Sequence, residues 1–422
     1  MKETNIIGLD IGSTAIRLVV GQHQGQNNED GEMRIIGAVS VPAEGINKGA
    51  VKSIEDVTSS ISACLERAER LVGTPIDSVW VSINSANVKC EKSRGVVAVA
   101  KSDGEISQED VERALEAARA LSVPPNYEIL HVIPVNFSVD NQQDIKDPVG
   151  MTGVRLEVET LIIQGLSSQI KNLTKAIFRT GLDIEDLVLS PLAAVEAVIG
   201  NKQKELGAAL VNIGATTTSL AVLEEGELLH TAIIPIGSDH ITADVAIGLR
   251  CPINVADKIK LEYGSAMPGQ YNKKDEIDLK EIAKEEDAEG EIEKVSAKYL
   301  AEIIEARVEE IFEKVDEEFK KIERSGMLPG GVFLIGGGSK LKDIVDSAKK
   351  KLRLPVALGG NYNIKAVVDK VNDTEYLSAL GLVVWGSRIV DSTDAFNFTI
   401  PGGNAIGKAF TRVAKWFKSL KP

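Results

Sequence analysis

The sequence predicts an α/β protein with two lobes of duplicated ββ(β)αβα units facing each other across a cleft. It adds a small inserted α/β subdomain and a C-terminal amphipathic helix. Three observations predict this. First, Ile6-Ile7-Gly8-Leu9-Asp10-Ile11-Gly12-Ser13-Thr14-Ala15 matches Ala209-Leu210-Val211-Asn212-Ile213-Gly214-Ala215-Thr216-Thr217-Thr218 in kind. Each is an apolar strand, then Asp or Asn, one apolar residue, a Gly and small hydroxyl residues. Second, the chain from 84 to 159 has a different texture, with strands around one capped helix. Third, the last nineteen residues, 404–422, carry no acidic side chain and space their apolar and basic residues as a helix does.

In chain order, residues 5–21 read as strand, turn and strand, with Ile6, Ile7, Leu9 and Ile11 in the first strand. Polar 22–32 is a hairpin loop and 34–41 a third strand. Ile54, Val57, Ile61, Leu65, Ala68 and Leu71 have the spacing of a helix over 54–72, and 78–83 alternates as a strand. In the insert, 96–99 is a strand. Ser107 caps a helix running through Val111, Ala114, Leu115, Ala118 and Leu121, with Asp110 at the capping-box position. Pro124-Pro125 stops it, and strands follow at 128–139 and 155–163. Then come a helix at 169–180, a strand at 183–189 and a helix at 192–199. The repeat occupies 207–223, with helices at 241–248 and 254–263 after it. The charge run 273–294 reads as a solvated excursion, and 298–322 as a long amphipathic helix. A strand at 330–335 feeds Gly336-Gly337-Gly338-Ser339, with a helix predicted over 340–352. A buried helix at 377–390 and an extended linker from 391 complete the body.

Composition limits the function classes. The chain has 422 residues, 43% of them hydrophobic, which suits more than one ordinary domain. Its net charge is −14 even with five basic residues in the tail, which argues against nucleic acid as a partner. Cys64, Cys90 and Cys251 show no metal or redox spacing and read as small hydrophobes of a reducing cytosol. His23, His131, His230 and His240 show no ligand spacing. The chain enters a strand almost at once, without a charged-then-apolar signal segment. No apolar run reaches about 18 residues, so no membrane span is expected.

The repeated turns carry the chemistry. A Gly there lets the backbone approach a ligand with its amides pointing inward, and Ser or Thr adds hydroxyl donors. Two such hairpins face to face would grip phosphates from both sides. Asp10 would hold Mg²⁺ through water, which suits a hard cation that dehydrates reluctantly. The third turn, 336–339, follows a buried strand and precedes a helix, so its amides would stand at a helix N-terminus beside a nucleoside. It is neither a Walker A loop nor a dinucleotide fingerprint.

The tail has its own signature. On a helix, Ile406, Phe410, Val413, Phe417 and Leu420 form one stripe, with Trp416 along its edge. Lys408, Arg412, Lys415 and Lys418 lie opposite. Gly402-Gly403 is a flexible joint and Asn404 an N-cap. A cationic face on an acidic protein, detached by glycines and opposed by aromatics, describes a helix lying on an anionic bilayer. The bland alternative is a C-terminal helix docked on the protein's own core.

These turns resemble the phosphate and adenosine loops of the actin-like ATPase superfamily, which includes actin, MreB, chaperone ATPases and sugar kinases. The resemblance implies ATP and Mg²⁺ as cofactors. Phosphate contacts would come from Asp10, Gly12, Ser13 and Thr14 and from Gly214, Ala215, Thr216 and Thr217, and adenosine contacts from Gly336, Gly337, Gly338 and Ser339. The stretch 256–264 is similar to the superfamily helix that reaches the nucleoside, which implies Asp257 and Lys260 there.

Within the superfamily the chain resembles the FtsA family of bacterial cell-division proteins over essentially its whole length. The specific motifs are 105–111, His131-Val132-Ile133-Pro134 and 147–156 in the insert, together with the terminal helix. The resemblance implies a cell-division protein that polymerises into a filament on the inner membrane face and tethers FtsZ through its C-terminal peptide. Residues 85–163 would meet the next protomer or recruit later division proteins. It implies a first lobe at 1–84, 164–199 and 353–392, and a second-lobe core at 200–237 and 327–352. The outer subdomain would be 238–326, the linker 393–403 and the membrane helix 404–422.

Two residues depart from the superfamily pattern. Asn212 and Ser219 stand where many relatives carry Asp, which removes acids that place Mg²⁺ and water. Binding survives this change and fast hydrolysis does not follow. Glu196 is the nearest acid on the connecting helix and makes a weak candidate base. The rival readings are a vigorous kinase or ATPase and a PilM-like adaptor of a pilus or secretion machine.

Overall fold

A computed structural model describes residues 4–23, 33–120, 123–286, 294–362 and 364–394. The tail residues 404–422 and most of the linker lie outside the described residues, as do most of the loop 22–32 and Leu121.

The first repeat folds as an antiparallel hairpin, Thr4–Ile11 with Ala15–His23, in a register that sets Asp10 opposite Arg17. Met33–Pro42 continues the meander, while Ser78–Ile83 and Asp183–Leu189 add in parallel on the other side. The short Lys365–Ala366 completes a six-stranded sheet. The second repeat has the same topology. Ala208–Ile213 pairs antiparallel with Thr218–Glu224, which pairs with Glu227–Ile234; Gly331–Ile335 and then Val356–Leu358 add in parallel. Asn212 stands opposite Ser219 as Asp10 stands opposite Arg17. The duplication read from sequence is therefore a duplication of sheet order and register.

Ile54–Val72 and Ser167–Phe178 cover one face of the first sheet. Ser53 accepts from the Asp56 amide as N-cap, and Gly73 ends the first of these helices in the left-handed conformation. The final helix, Leu377–Asp394, lies on the other face beside Ser190–Val198. Gly381 permits that approach, because a Cβ there would sit 2.0 Å from the Ala193 carbonyl oxygen. On the second lobe, Ser238–Leu249, Ile253–Tyr263 and Ala297–Lys321 enclose a core around Phe312 and Phe319.

The insert is a four-stranded antiparallel sheet in the order Lys89–Ala98, Arg155–Leu166, Tyr127–Val139, Gln142–Ile145. Gln108–Arg119 packs on it, and the expected capping box between Ser107 and Asp110 is present. The Ser107 hydroxyl, helped by the Ser107 and Ala100 amides and by Arg113, holds the Asp110 carboxyl well below the usual range against the opposing effect of burial. The insert is not a separate bead. Ile133, Leu161 and Ile163 share one core with Leu223, Leu228 and Ile233 of the second lobe.

His131 ties the insert to the first lobe. Its Nε2 accepts from the Leu189 amide at 3.1 Å, and its ring stands edge-on to Trp385. Burial pushes this imidazole down from 6.5 to about 4. The unfolded chain therefore takes up a proton in that window that the folded chain refuses, and stability falls as pH drops from 6.5 toward about 4. His131→Gln, which keeps an acceptor, is expected to flatten this part of the slope. Thermal midpoints of both proteins at neutral and mildly acid pH check it; parallel pH profiles would rule it out.

Several elements differ from expectation. The insert's first strand begins at Lys89, not 96, because Lys89–Ala98 is an edge strand whose outer side chains are solvated. Gln142–Ile145 is a second edge strand, too short and polar to show periodicity. The helix predicted over 340–352 starts at Ile344, after a 3-10 turn at Gly337–Lys340. The final helix runs to Asp394, so residues 391–394 are helix rather than linker. The charged excursion is partly ordered. Glu276–Asp278 pairs with Lys294–Ser296, and Lys280–Glu285 buries Ile282 below it. Lys258 holds this segment through Glu285 at 2.9 Å and Glu286 at 2.6 Å.

Candidate functional site

The two repeated turns close in the same way. Gly12 N–H donates to the Ala15 carbonyl at 3.1 Å, and Gly214 N–H to the Thr217 carbonyl at 2.9 Å. They also face each other. Ser13 Oγ lies 2.7 Å from Thr216 Oγ1, which also accepts from the Lys48 amide at 3.1 Å. Asn84 Nδ2 donates to Thr217 Oγ1 at 3.2 Å. Between the lobes lies a cleft of about 730 Å³.

Asp10, Gly12, Ser13 and Thr14 line this cleft on one side, and Gly214, Ala215 and Thr217 on the other. Gly336, Gly337 and Gly338 line it from the third loop, and Asp257 and Lys260 from the helix Ile253–Tyr263. The fourteen residues proposed from sequence therefore converge, with two exceptions. Thr216 is not on the cleft wall; its hydroxyl bridges the lobes to Ser13 and the Lys48 amide. Ser339 is buried, and its hydroxyl donates to the Gly336 carbonyl at 2.7 Å. It shapes the loop from within rather than facing the cleft. The third loop also does not abut an α-helix N-terminus, since a 3-10 turn intervenes.

Asp10 is positioned by Ser82, whose hydroxyl donates to Oδ1 at 2.5 Å and accepts from the Ile11 amide at 3.2 Å. Burial raises the Asp10 carboxyl's pKa, against the lowering effects of the Ser82 bond and the nearby Arg17 charge. A nearby cation in the cleft would favour its ionised form. A hard carboxylate oxygen fits Mg²⁺ held mainly by water and phosphate. Among the described residues no group of three or more His, Cys, Asp and Glu could hold a metal by itself.

At the opposite end, Asp257 Oδ1 accepts from Lys260 at 2.7 Å and from Thr242 at 3.0 Å, and Lys260 donates to Thr242 at 2.6 Å. Ile241, Leu261, Tyr263, Tyr271 and Leu341 give this end an apolar lining suited to a flat ring. Asn212 Nδ2 donates to Ser378 at 3.2 Å, and Ser219 is wholly buried behind the cleft wall. Neither position offers an acid. Glu196 does not line the cleft; it is paired in the interior with Lys204 and Arg388.

Sequence reasoning missed Arg17, Asp239, Lys340 and Glu375, all of which line the cleft. Arg17 had a signal: it is the register partner of Asp10 in the hairpin. Asp239 had one too, because Gly237-Ser238-Asp239 opens a helix just after the repeat, and its amide donates to the Ala215 carbonyl at 2.8 Å. Lys340 and Glu375 are single charges with no pattern around them.

Two duplicated lobes around a shared cleft, with an α/β insert in the first, define a protein of the actin-like ATPase fold. Solved structures agree on the fold. The chain resembles the PilM–PilN type IV pilus biogenesis complex at a TM-score of 0.64 and 16% identity, covering 90% of this chain and 98% of that one. It resembles MreB5 of Spiroplasma citri bound to ADP at a TM-score of 0.54 and 12% identity, covering 93% and 99%. Family models narrow the class. Residues 85–164 match the SHS2 domain inserted in FtsA, and 209–381 match the cell division protein FtsA. The cell division protein FtsA of Pseudomonas aeruginosa is 32% identical over 94% of this chain and 93% of its own length. That of Bacillus subtilis is 36% identical over 90% and 83%. The chain belongs to the FtsA family of cell division proteins.

Proposed function

We propose that this FtsA-family chain binds ATP with Mg²⁺ in the interlobe cleft, polymerises on the inner face of the cell membrane, and tethers FtsZ there. One observation carries the nucleotide part. The two repeated turns meet at Ser13 and Thr216, with the third loop and the Asp257–Lys260 helix on the same cleft. Gly12, Ser13, Thr14, Gly214, Ala215 and Thr217 hold the phosphates. Gly336 to Gly338, Asp257 and Lys260 hold the nucleoside, and Asp10 holds Mg²⁺ through water. ATP then acts as a clamp between the lobes and favours the polymerising shape. With an amide at Asn212 and a hydroxyl at Ser219, hydrolysis is slow at most.

The membrane part rests on the tail sequence. Among the described residues no helix is long and apolar enough to cross a membrane. Ile406, Phe410, Val413, Trp416, Phe417 and Leu420 enter the interface, with the basic face toward anionic lipid. One such helix binds marginally, while a filament of them binds by avidity. In the domain scheme of this reading, 238–326 takes the FtsZ C-terminal peptide and 85–163 meets the neighbouring protomer or later division proteins.

Co-sedimentation of FtsZ onto anionic liposomes, with and without the chain, tests the tether. Replacing Trp416 and Phe417 with Glu is expected to abolish liposome binding and leave ATP affinity intact. Loss of both would make the tail part of the fold. The runner-up reading is an adaptor of a pilus or secretion machine. Equal flotation of the full chain and a chain ending at Asn397 would favour that adaptor. A steady turnover above about 1 s⁻¹ would instead indicate an enzyme.

A further inference from the structure

The floor of the cleft holds a charge network that joins both lobes. Arg17, on the first hairpin, donates through Nη2 to Glu375. Lys340, on the third loop, reaches the same carboxylate at 2.8 Å and Asp373 at 2.7 Å. Both cations stand beside the loops assigned to the nucleotide. A Cβ built on Gly12 would lie 3.9 Å from Arg17 Nη1, and one on Gly337 would lie 3.6 Å from Glu375 Oε1. The segment carrying Glu375 is itself tied to the third loop, since Gly336 N–H donates to the Thr374 carbonyl at 3.0 Å and Thr374 Oγ1 to the Gly336 carbonyl at 3.2 Å.

We propose that Glu375 is an internal counter-anion that competes with a nucleotide's phosphates for Arg17 and Lys340. The proposal rests on the reading of the cleft as a nucleotide site. The chemistry is that of a carboxylate mimicking a phosphate: both accept from a guanidinium fork and from an ammonium group. Arg17 has capacity to spare, because its buried Nε has no hydrogen-bond partner among the described residues. Its guanidinium also lies 5.8 Å from the centre of the Tyr376 ring, which holds it in place without using a donor. Burial pushes the Glu375 carboxyl up, but Lys340 and Arg17 outweigh it and hold the group below the usual range, so it is ionised near neutral pH. A polyphosphate brings more negative charge than one carboxylate and takes over the cations. Glu375 stands two residues before the final helix Leu377–Asp394, so its release acts on the element that leads toward the C-terminal stretch.

Full-length wild-type chain, Glu375→Gln, Arg17→Ala and the double variant are titrated calorimetrically with ATP, ADP and adenosine. Glutamine keeps the shape and one acceptor oxygen while removing the charge and turning the other acceptor into a donor. Glu375→Gln is expected to tighten ATP about three- to tenfold, to tighten ADP less, and to leave adenosine unchanged. Arg17→Ala weakens ATP, and in that background the gain from Glu375→Gln shrinks. If Glu375→Gln weakens ATP, leaves it unchanged, or shifts adenosine equally, the carboxylate only supports the loop and the proposal fails. If the wild-type chain binds neither ATP nor ADP, the reading of the cleft falls and this proposal with it. Should Glu375→Gln not fold, Lys340→Gln carries the test. It is expected to weaken ATP and spare adenosine, and equal weakening of both would overturn the proposal.

Discussion

Replacing Glu196 with alanine is expected to destabilise the protein by about 3–5 kcal/mol, seen as a large fall in the thermal or urea midpoint. Glu196 lies on Ser190–Val198 with its side chain 2% exposed, and its two oxygens accept from Lys204 Nζ at 3.1 and 3.0 Å. Lys204, itself 4% exposed, sits on the short helix Asn201–Leu206 that leads into the second lobe. Arg388, on the final helix, donates to the same carboxylate. One anion thus joins three elements where the chain passes from lobe to lobe. Removing it leaves a buried ammonium beside a guanidinium without its counter-charge. A charge-free combination, Glu196→Leu with Lys204→Met and Arg388→Met, is expected to recover most of the loss, because no unpaired charge remains. ATP affinity should hardly change in either variant. If Glu196 were instead a catalytic base, Glu196→Ala would abolish turnover at little cost in stability, and that outcome would sink the structural assignment.

The halves of the site that announce themselves in sequence are those whose backbone dictates residue type. A tight hairpin that brings its backbone to a ligand needs Gly and small hydroxyl residues, so Gly12-Ser13-Thr14 and Gly214-Ala215-Thr216-Thr217 stand out, and their repetition gives the two-lobed architecture. The insert helix is legible for the same reason, since Ser107 and Asp110 satisfy each other's backbone amides. Side chains that meet across the cleft leave no such trace. Arg17, Lys340 and Glu375 come from three distant parts of the chain, and any one of them reads as an ordinary surface charge. Thr216 and Ser339 are harder to read, because a hydroxyl near a loop can serve the ligand or the loop itself. In the fold, Thr216 crosses to Ser13 and Ser339 turns back to Gly336. Edge strands such as Lys89–Ala98 blur for a different reason: one face is solvated, so alternation weakens just where charge protects the edge.

Gly336→Ala is expected to lower ATP affinity by at least about a hundredfold, or 2.7 kcal/mol, while Gly360→Ala is nearly silent. Gly336 adopts φ 85° and ψ 170°, a region that is essentially glycine's alone. A Cβ there would also lie 2.3 Å from Asn212 Oδ1 and 2.6 Å from the Ile213 carbonyl oxygen. The first contact could relax by moving a side chain, but the second is with the backbone of the second lobe's central strand, which is buried on both faces. Backbone strain of about 1–3 kcal/mol and overpacking of similar size can therefore be relieved only by shifting the third loop. That loop carries Gly337 and Gly338 on the cleft wall and Lys340 on its floor, so its displacement opens the nucleoside end and misplaces a cation together. At Gly360 the added methyl meets nothing within 4 Å, which makes it a control for the substitution itself. Titrating both variants with ATP, alongside their thermal midpoints, checks the prediction. Unchanged ATP affinity in Gly336→Ala would show that the third loop does not form part of the nucleotide site.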